Sequence, residues 1–378
     1  MALRVKEIVK MIESMAPKEY AMEWDNVGIQ IGSENKEVKH ILIALEINED
    51  VLKMGEENGI DLIITHHPLL FKGLKSINFD TYQGSLLHRA IRDDLHIYSC
   101  HTNIDVAPEG LNQHMAEKIG LKNIEVMAVE DRKPYVKFAV YVPQDDVEKV
   151  ADAISKGGGG VIGNYSHCTF RTAGKGTFLP GEGANPSIGE KGSMEYVDEV
   201  KLETIVPKKD LHRVIQQVKD AHPYEEVAFD VLSLENIDQR AGLGRRGVLE
   251  EPLLLSDWIK RLKDRLRIDS IKVSGNLDHR IQSVGILNGS GADYIPLAIQ
   301  QGLDCFITGD VKYHDAQNAM DADLDILDIG HYESEIFFVD FLADFLEENL
   351  KEHNQGLEEN EQIRIHRDRT LPNPFKTL

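Results

Sequence analysis

The stretch "HILIALEINEDVLKMGEENGIDLIITHHPLL" (residues 40–70) decides the fold. Two short apolar runs, 40–47 and 61–65, read as buried strands, and the amphipathic segment between them reads as a helix. The alternation continues with "GSLLHRAIRDD" (84–94) as a helix and "LHIYSC" (95–100) as a strand. The spacing predicts a sheet with flanking helices over the first 127 residues.

Near residue 128 the style changes. "YVKFAVYVP" (135–143), "HCTFRTA" (167–173), "MEYVDEVKLETIVP" (194–207) and "VAFDVLSL" (227–234) read as strands. "QDDVEKVADAISKGG" (144–158) and "KKDLHRVIQQVKDAH" (208–222) read as helices, giving the order β-α-β-β-α-β of a ferredoxin-like unit. The Gly-rich stretch 174–193 lacks a Lys-Ser/Thr ending and sits between strands, so it reads as a hairpin tip rather than a phosphate cradle. From 237 the first style returns: helix "LLLSDWIKRLKDRL", strands "SVGILNG", "LDCFITG" and "LDILDIG", then one long helix beginning at "HYESEIFFVDFLADFLEENL". The expected architecture is a discontinuous α/β domain (1–127 and 237–378) interrupted by an α+β domain (128–236).

Composition narrows the function classes. The 64 acidic and 42 basic side chains leave a formal charge of −22, a field that repels nucleic-acid backbones and anionic membranes. The one basic cluster, "RAGLGRRG" (240–247), reads as a loop near the domain boundary. Cys100, Cys168 and Cys305 form no CxxC pair, the pattern of a reduced cytoplasmic protein without a thiolate zinc site. "MALRVKEIVKMIESM" carries apolar residues at helical spacing and does not read as a signal peptide; no run is long enough to span a membrane.

Three strand ends carry residues that bind metals: His66 and His67 after "DLIIT", His101 and Asp105 after "LHIYS", and His331 and Glu335 after "LDILDI". Ligands of α/β sheets gather beyond the carboxyl ends of strands, so these segments can converge. Neighbouring strand residues face opposite ways, but a strand end broken by Pro68 lets His66 and His67 splay, each toward a different ion. Taken singly, the His pair, the "HTNID" turn and the acidic helix start each have an ordinary structural explanation. Taken together they point to two divalent cations on His66, His67, Asp105, His331 and Glu335, with hydroxide as nucleophile. The nitrogen and oxygen donors suit Zn first, with Mn, Fe, Ni or Co as alternatives. His101 is the candidate catalytic proton carrier.

The motifs "EWDNVGIQIG" (23–32), "THHPLLFKG" (65–73), "HTNIDVAPEGLN" (101–112), "ITGDVKYH" (307–314) and "GHYESE" (330–335) together resemble the NIF-three-like family, also called the GTP cyclohydrolase I type 2 family. The resemblance spans nearly the whole chain and places the family's dinuclear site on the same five ligand residues. It implies that the insert is the PII- or CutA-like domain of some bacterial members, marked by "HPYEEVAFD" (222–230), and that the protein assembles as a homohexameric toroid. Glu46 stands where the family pattern has aspartate and is not counted as a ligand; Asp310 and His314 are candidates to support the pocket. The expected function is metal-dependent hydrolysis of a small molecule, GTP by the family name. The alternative is a metal-binding oligomeric scaffold or regulator whose PII-like domain senses a small ligand or partner.

Overall fold

A computed structural model describes residues 3–129, 135–236, 240–358 and 361–376. The chain forms two compact units, one of residues 1–129 with 239–378 and the other of residues 130–238. No helix among the described residues is long and apolar enough to cross a membrane.

The larger unit is mixed α/β and contains two sheets. In the first, His40–Ala44, Leu62–Thr65 and His96–Ser99 run parallel, with Arg364–Arg367 added in parallel at one edge and Gly28–Ile31 antiparallel at the other. The helix between the first two strands, Glu49–Glu57, is started by Asn48, whose side chain accepts from the Val51 amide. In the second sheet, Arg280–Ser290, Cys305–Gly309 and Asp325–Asp328 are parallel. Gly242–Leu254 and Lys122–Val129 extend it antiparallel on one side and Lys272–Ser274 on the other.

Alternation along these strands fills two faces of each sheet. Ile41 and Ile43 share a core cluster with Cys305, Ile307 and Leu327 of the second sheet and with helix residues Met115, Phe338 and Leu342. Leu42 and Ile63 face the other way, against Val51, Leu52, Leu86 and Ala90. Phe306 and Ile326 likewise turn away to meet Ile295, Ala298 and Ala319. One shared core therefore fixes the two sheets against each other, and the carboxyl ends of their parallel strands supply the candidate site.

Two expectations need correction. The last helix is not continuous from His331: His331–Glu335 is a separate short helix, followed by Phe338–Asn354. The Ser334 hydroxyl donates to the His331 carbonyl at 2.7 Å, and such back-bonding bends a helix. The stretch "RAGLGRRG" is not a loop, because residues from Gly242 onward form a central strand of the second sheet. Its charge is also committed: Arg245 is buried and Arg246 pairs with Glu125 at 2.7 Å.

In the smaller unit, Tyr135–Pro143, Phe170–Phe178, Glu195–Pro207 and Phe229–Ser233 form an antiparallel sheet. The first strand lies between the third and fourth, and the second strand is at the edge beside the third. With helices Val147–Lys156 and Leu211–Ala221, this is the ferredoxin-like arrangement. Val136, Phe138, Val140 and Val142 alternate onto the helical face, against Val150, Ile154, Val214 and Val218.

Candidate metal centre

Each strand end delivers its polar residues through a local break. His66 and His67 follow Leu62–Thr65, where the Thr65 hydroxyl donates to the His67 carbonyl at 2.9 Å and turns the chain. His101 precedes the short helix Thr102–Val106, which carries Asp105. Gly330, at φ +92°, turns the chain between Asp325–Asp328 and the helix of His331 and Glu335.

The four histidines converge, and each has its Nδ1 atom engaged from behind. His66 Nδ1 meets the Cys100 carbonyl at 3.1 Å, and His67 Nδ1 meets Glu46 at 3.4 Å. His101 Nδ1 meets Asp25 at 2.9 Å, and His331 Nδ1 meets Asp310 at 2.7 Å. The Nε2 atoms are thereby left for the interior of the cluster. Such outer partners fix the tautomer and ring orientation of metal-binding histidines.

Glu335 lies at the centre. Its Oε2 is 2.9 Å from His67 Nε2 and 3.0 Å from His331 Nε2, while its Oε1 is 3.6 Å from His66 Nε2. Asp105 Oδ2 lies 3.8 Å from the same His66 nitrogen. Ring and carboxylate atoms form two groups whose members lie within 4.8 Å of one another: His66 with His67 and His101, and His67 with His331 and Glu335. Gly289, at φ +67°, leaves room for this carboxylate, since a Cβ there would fall 2.3 Å from Glu335 Oε1.

The donor set fits divalent cations. His66 Nε2 and Asp105 Oδ1 are buried without a hydrogen-bond partner among the described residues, a costly state for polar atoms. The separations of 3.6 and 3.8 Å around His66 exceed a hydrogen bond but suit two ligands of one cation, whose bonds are about 2.0–2.2 Å.

Without a cation, protons take part of its place. Burial opposes charge on His67, but its contacts with Glu335 and Glu46 prevail and hold it at about 10. The Glu335 contact likewise holds His331 at about 9. Burial drives His66 down to about 4 and, with Glu335 nearby, pushes the Asp105 carboxyl well above the usual carboxylate range. The raised histidines stabilise the metal-free fold fully below the ordinary value of 6.5, and this contribution fades as pH rises through about 9 and 10. Cation binding must displace these protons. Loading with Zn at pH 7.5 is expected to release about two protons per chain, seen as buffer-dependent heats in calorimetry. Heats independent of the buffer's ionisation enthalpy would contradict this.

All six site residues predicted from the sequence lie in this cluster, and the ring of His101, the expected proton carrier, joins the group of His66 and His67. Asp310, a candidate to support the pocket, meets the His331 ring. His314 is exposed and stacks edge-on with Tyr313. Asp25 and the orienting role of Glu46 went unread, although Asp25 lies inside the quoted motif "EWDN". Burial opposes its charge, but hydrogen bonds from His101 and Thr102 hold Asp25 at about 2. Replacing Asp25 with asparagine is expected to weaken metal retention about 10- to 100-fold without unfolding the protein, as measured by chelator competition. Unchanged retention would mean that Asp25 serves only to start the following helix.

The model of the Duf34/NIF3 (NGG1p interacting factor 3) family matches residues 3–366. A Bacillus subtilis protein named "GTP cyclohydrolase 1 type 2 homolog" is 40% identical over 331 residues, covering 88% of this chain and 89% of its own. A relative of the same name from Halalkalibacterium halodurans is 40% identical over 324 residues, covering 86% and 87%. The crystal structure of a Bacillus cereus protein related to NIF3 superposes over all of both chains with a TM-score of 0.89 at 39% identity.

Proposed function

The chain belongs to the Duf34/NIF3 family, and on that premise we propose that it is a metal-dependent hydrolase of the GTP cyclohydrolase I type 2 kind. The observation that carries this reading is the division of Glu335: one oxygen faces His66, the other His67 and His331. A carboxylate divided in this way suits two cations, one held with His66, His101 and Asp105, the other with His67 and His331. We therefore assign His101 to cation binding in place of the proton-carrier role. Zn is the first expectation, with Mn, Fe, Ni or Co as alternatives. Bound divalent cations polarise an electrophilic centre and lower the pKa of water. The chain's own residues fix that chemistry in place: Asp25, Glu46 and Asp310 hold three imidazoles in one tautomer, and the Cys100 carbonyl holds the fourth.

The relatives' name suggests GTP as substrate, opened at the purine C8 with eventual loss of formate. The test is GTP turnover by protein loaded with defined Mn or Zn, with mass detection of product and formate. Formate release that disappears in Asp105→Ala, while the oligomer persists, is the expected result. No turnover by a protein shown to hold its metals would set GTP aside.

A homohexamer in the cytoplasm is part of the same proposal; the exposed apolar residues Leu74, Ile77, Phe79 and Tyr82 offer a surface for self-association. A second reading, a scaffold whose insert senses a small ligand, is favoured by a cavity of about 650 Å³ in the smaller unit. Tyr141, Lys175, Phe178, Ile188 and Tyr224 line it.

A further inference from the structure

Two large aromatic side chains stand in the open beside the histidine cluster. Trp24 is 58% exposed and Phe71 45%. Their rings lie 5.7 Å apart, inclined by 56°, and both approach the ring of His101, at 6.1 and 6.3 Å between centroids. His101 in turn lies 5.1 Å from His66 and 5.7 Å from His67. The pair thus lies directly against one candidate metal ligand, His101, and one ring removed from His66 and His67.

The two aromatics are held by the segments that build the centre. Trp24 precedes Asp25, which fixes His101, and Phe71 closes the turn that begins at His66. These segments are tied together, because Asn26 Nδ2 donates to the Leu70 carbonyl and the Leu70 amide donates to Gln30 Oε1. The rings are therefore presented in fixed relation to the cluster, which scattered surface hydrophobes are not.

We propose that Trp24 and Phe71 form a stacking surface for the planar heteroaromatic ring of the substrate, holding it beside the metal centre. This rests on the hydrolase reading, under which that ring is a purine. Every base offers a π-face, and stacking on an aromatic side chain needs no charge. That suits a chain of net charge −22, whose overall field opposes the approach of a triphosphate. The stacked base is thereby held with its C8 beside the cations, as the hydrolase reading requires.

Tryptophan emission tests this directly. The chain has two tryptophans, and Trp258 is buried in the core, so quenching by a ligand reports Trp24. Metal-loaded protein would be titrated with GTP, guanosine and inorganic triphosphate. GTP and guanosine are expected to quench and triphosphate is not. Trp24→Leu and Phe71→Leu should each weaken GTP binding in calorimetry by about tenfold, within the range typical of base stacking, with metal content unchanged.

Absence of quenching by both purines, or wild-type affinity in both variants, would overturn the proposal. Loss of the oligomer in the variants with purine affinity intact would also overturn it, and would assign the pair to a subunit contact. Failure of the hydrolase reading looks different: purine quenching without formate release keeps the stacking surface and removes the hydrolase. Formate release with no quenching and an unchanged KM does the reverse.

Discussion

Glu335→Gln is expected to strip both of the proposed cations, lowering metal affinity by more than about a hundredfold. The loss should exceed the roughly 10–100-fold cost of removing an outer-shell partner, because Glu335 faces both groups directly. Its Oε2 lies 2.9 and 3.0 Å from His67 and His331, and its Oε1 lies 3.6 Å from His66. Glutamine keeps the shape but removes the charge, and its NH2 group turns a donor toward nitrogens that should be accepting no proton. The fold should survive, since His67 and His331 can shed their protons once the carboxylate charge is gone. The metal-free variant should therefore lose much of the pH dependence of wild-type stability between about 7 and 10, keeping only the part that Glu46 and Asp310 contribute. Metal analysis after dialysis and melting curves across that range are the measurements. A variant that keeps two cations per chain would sink the central role of this residue. Loss of one cation alone would replace the shared carboxylate with two independent sites.

The candidate ligand residues were legible because each follows a break in a strand pattern. "DLIIT", "LHIYS" and "LDILDI" are apolar runs, and the first polar residues after them are those that converge. What surrounds them was far less legible, for physical reasons. Asp25 and Glu46 act through hydrogen bonds to rings distant in sequence, and no spacing rule links residue 25 to residue 101. The division of the larger unit into two sheets was also hidden, because alternating strands and helices look alike whichever sheet they join. Strands Lys122–Val129 and Arg364–Arg367 went unread, being edge strands rich in polar residues. The glycines of "RAGLGRRG" misled most, since glycines interspersed with arginines read as a loop. Here a Cβ on Gly242 would fall 2.1 Å from the Ala128 carbonyl, so glycine permits the close strand pairing instead of breaking it.

The same stretch carries the second large effect. Arg245→Leu is expected to destabilise the protein by roughly 3 kcal/mol or more, through the carbonyls it leaves without donors, and to loosen Asp105. The Arg245 side chain is buried, and its guanidinium spends all its donors on the chain around it. Nε donates to Gln113 at 2.9 Å; Nη1 donates to the carbonyls of Gly242 and Gly244, both at 2.9 Å; Nη2 donates to those of Ala107 at 2.7 Å and Pro108 at 3.1 Å. Burial brings Arg245 down to about 10, which still leaves it charged at neutral pH. Leucine fills part of the volume but leaves the carbonyls without donors, and each buried unsatisfied group costs about 1–3 kcal/mol. Ala107 and Pro108 directly follow the helix that carries Asp105, so the damage reaches the metal centre. Arg245→Lys should recover only part of the stability, because an ammonium cannot reproduce the planar fork. Chemical denaturation with metal bound and removed separates the two effects. If both variants unfold at the wild-type midpoint, Arg245 is not the tie between the second sheet and the Asp105 segment. If only metal retention changes, its role lies in aiming that segment rather than in holding the fold.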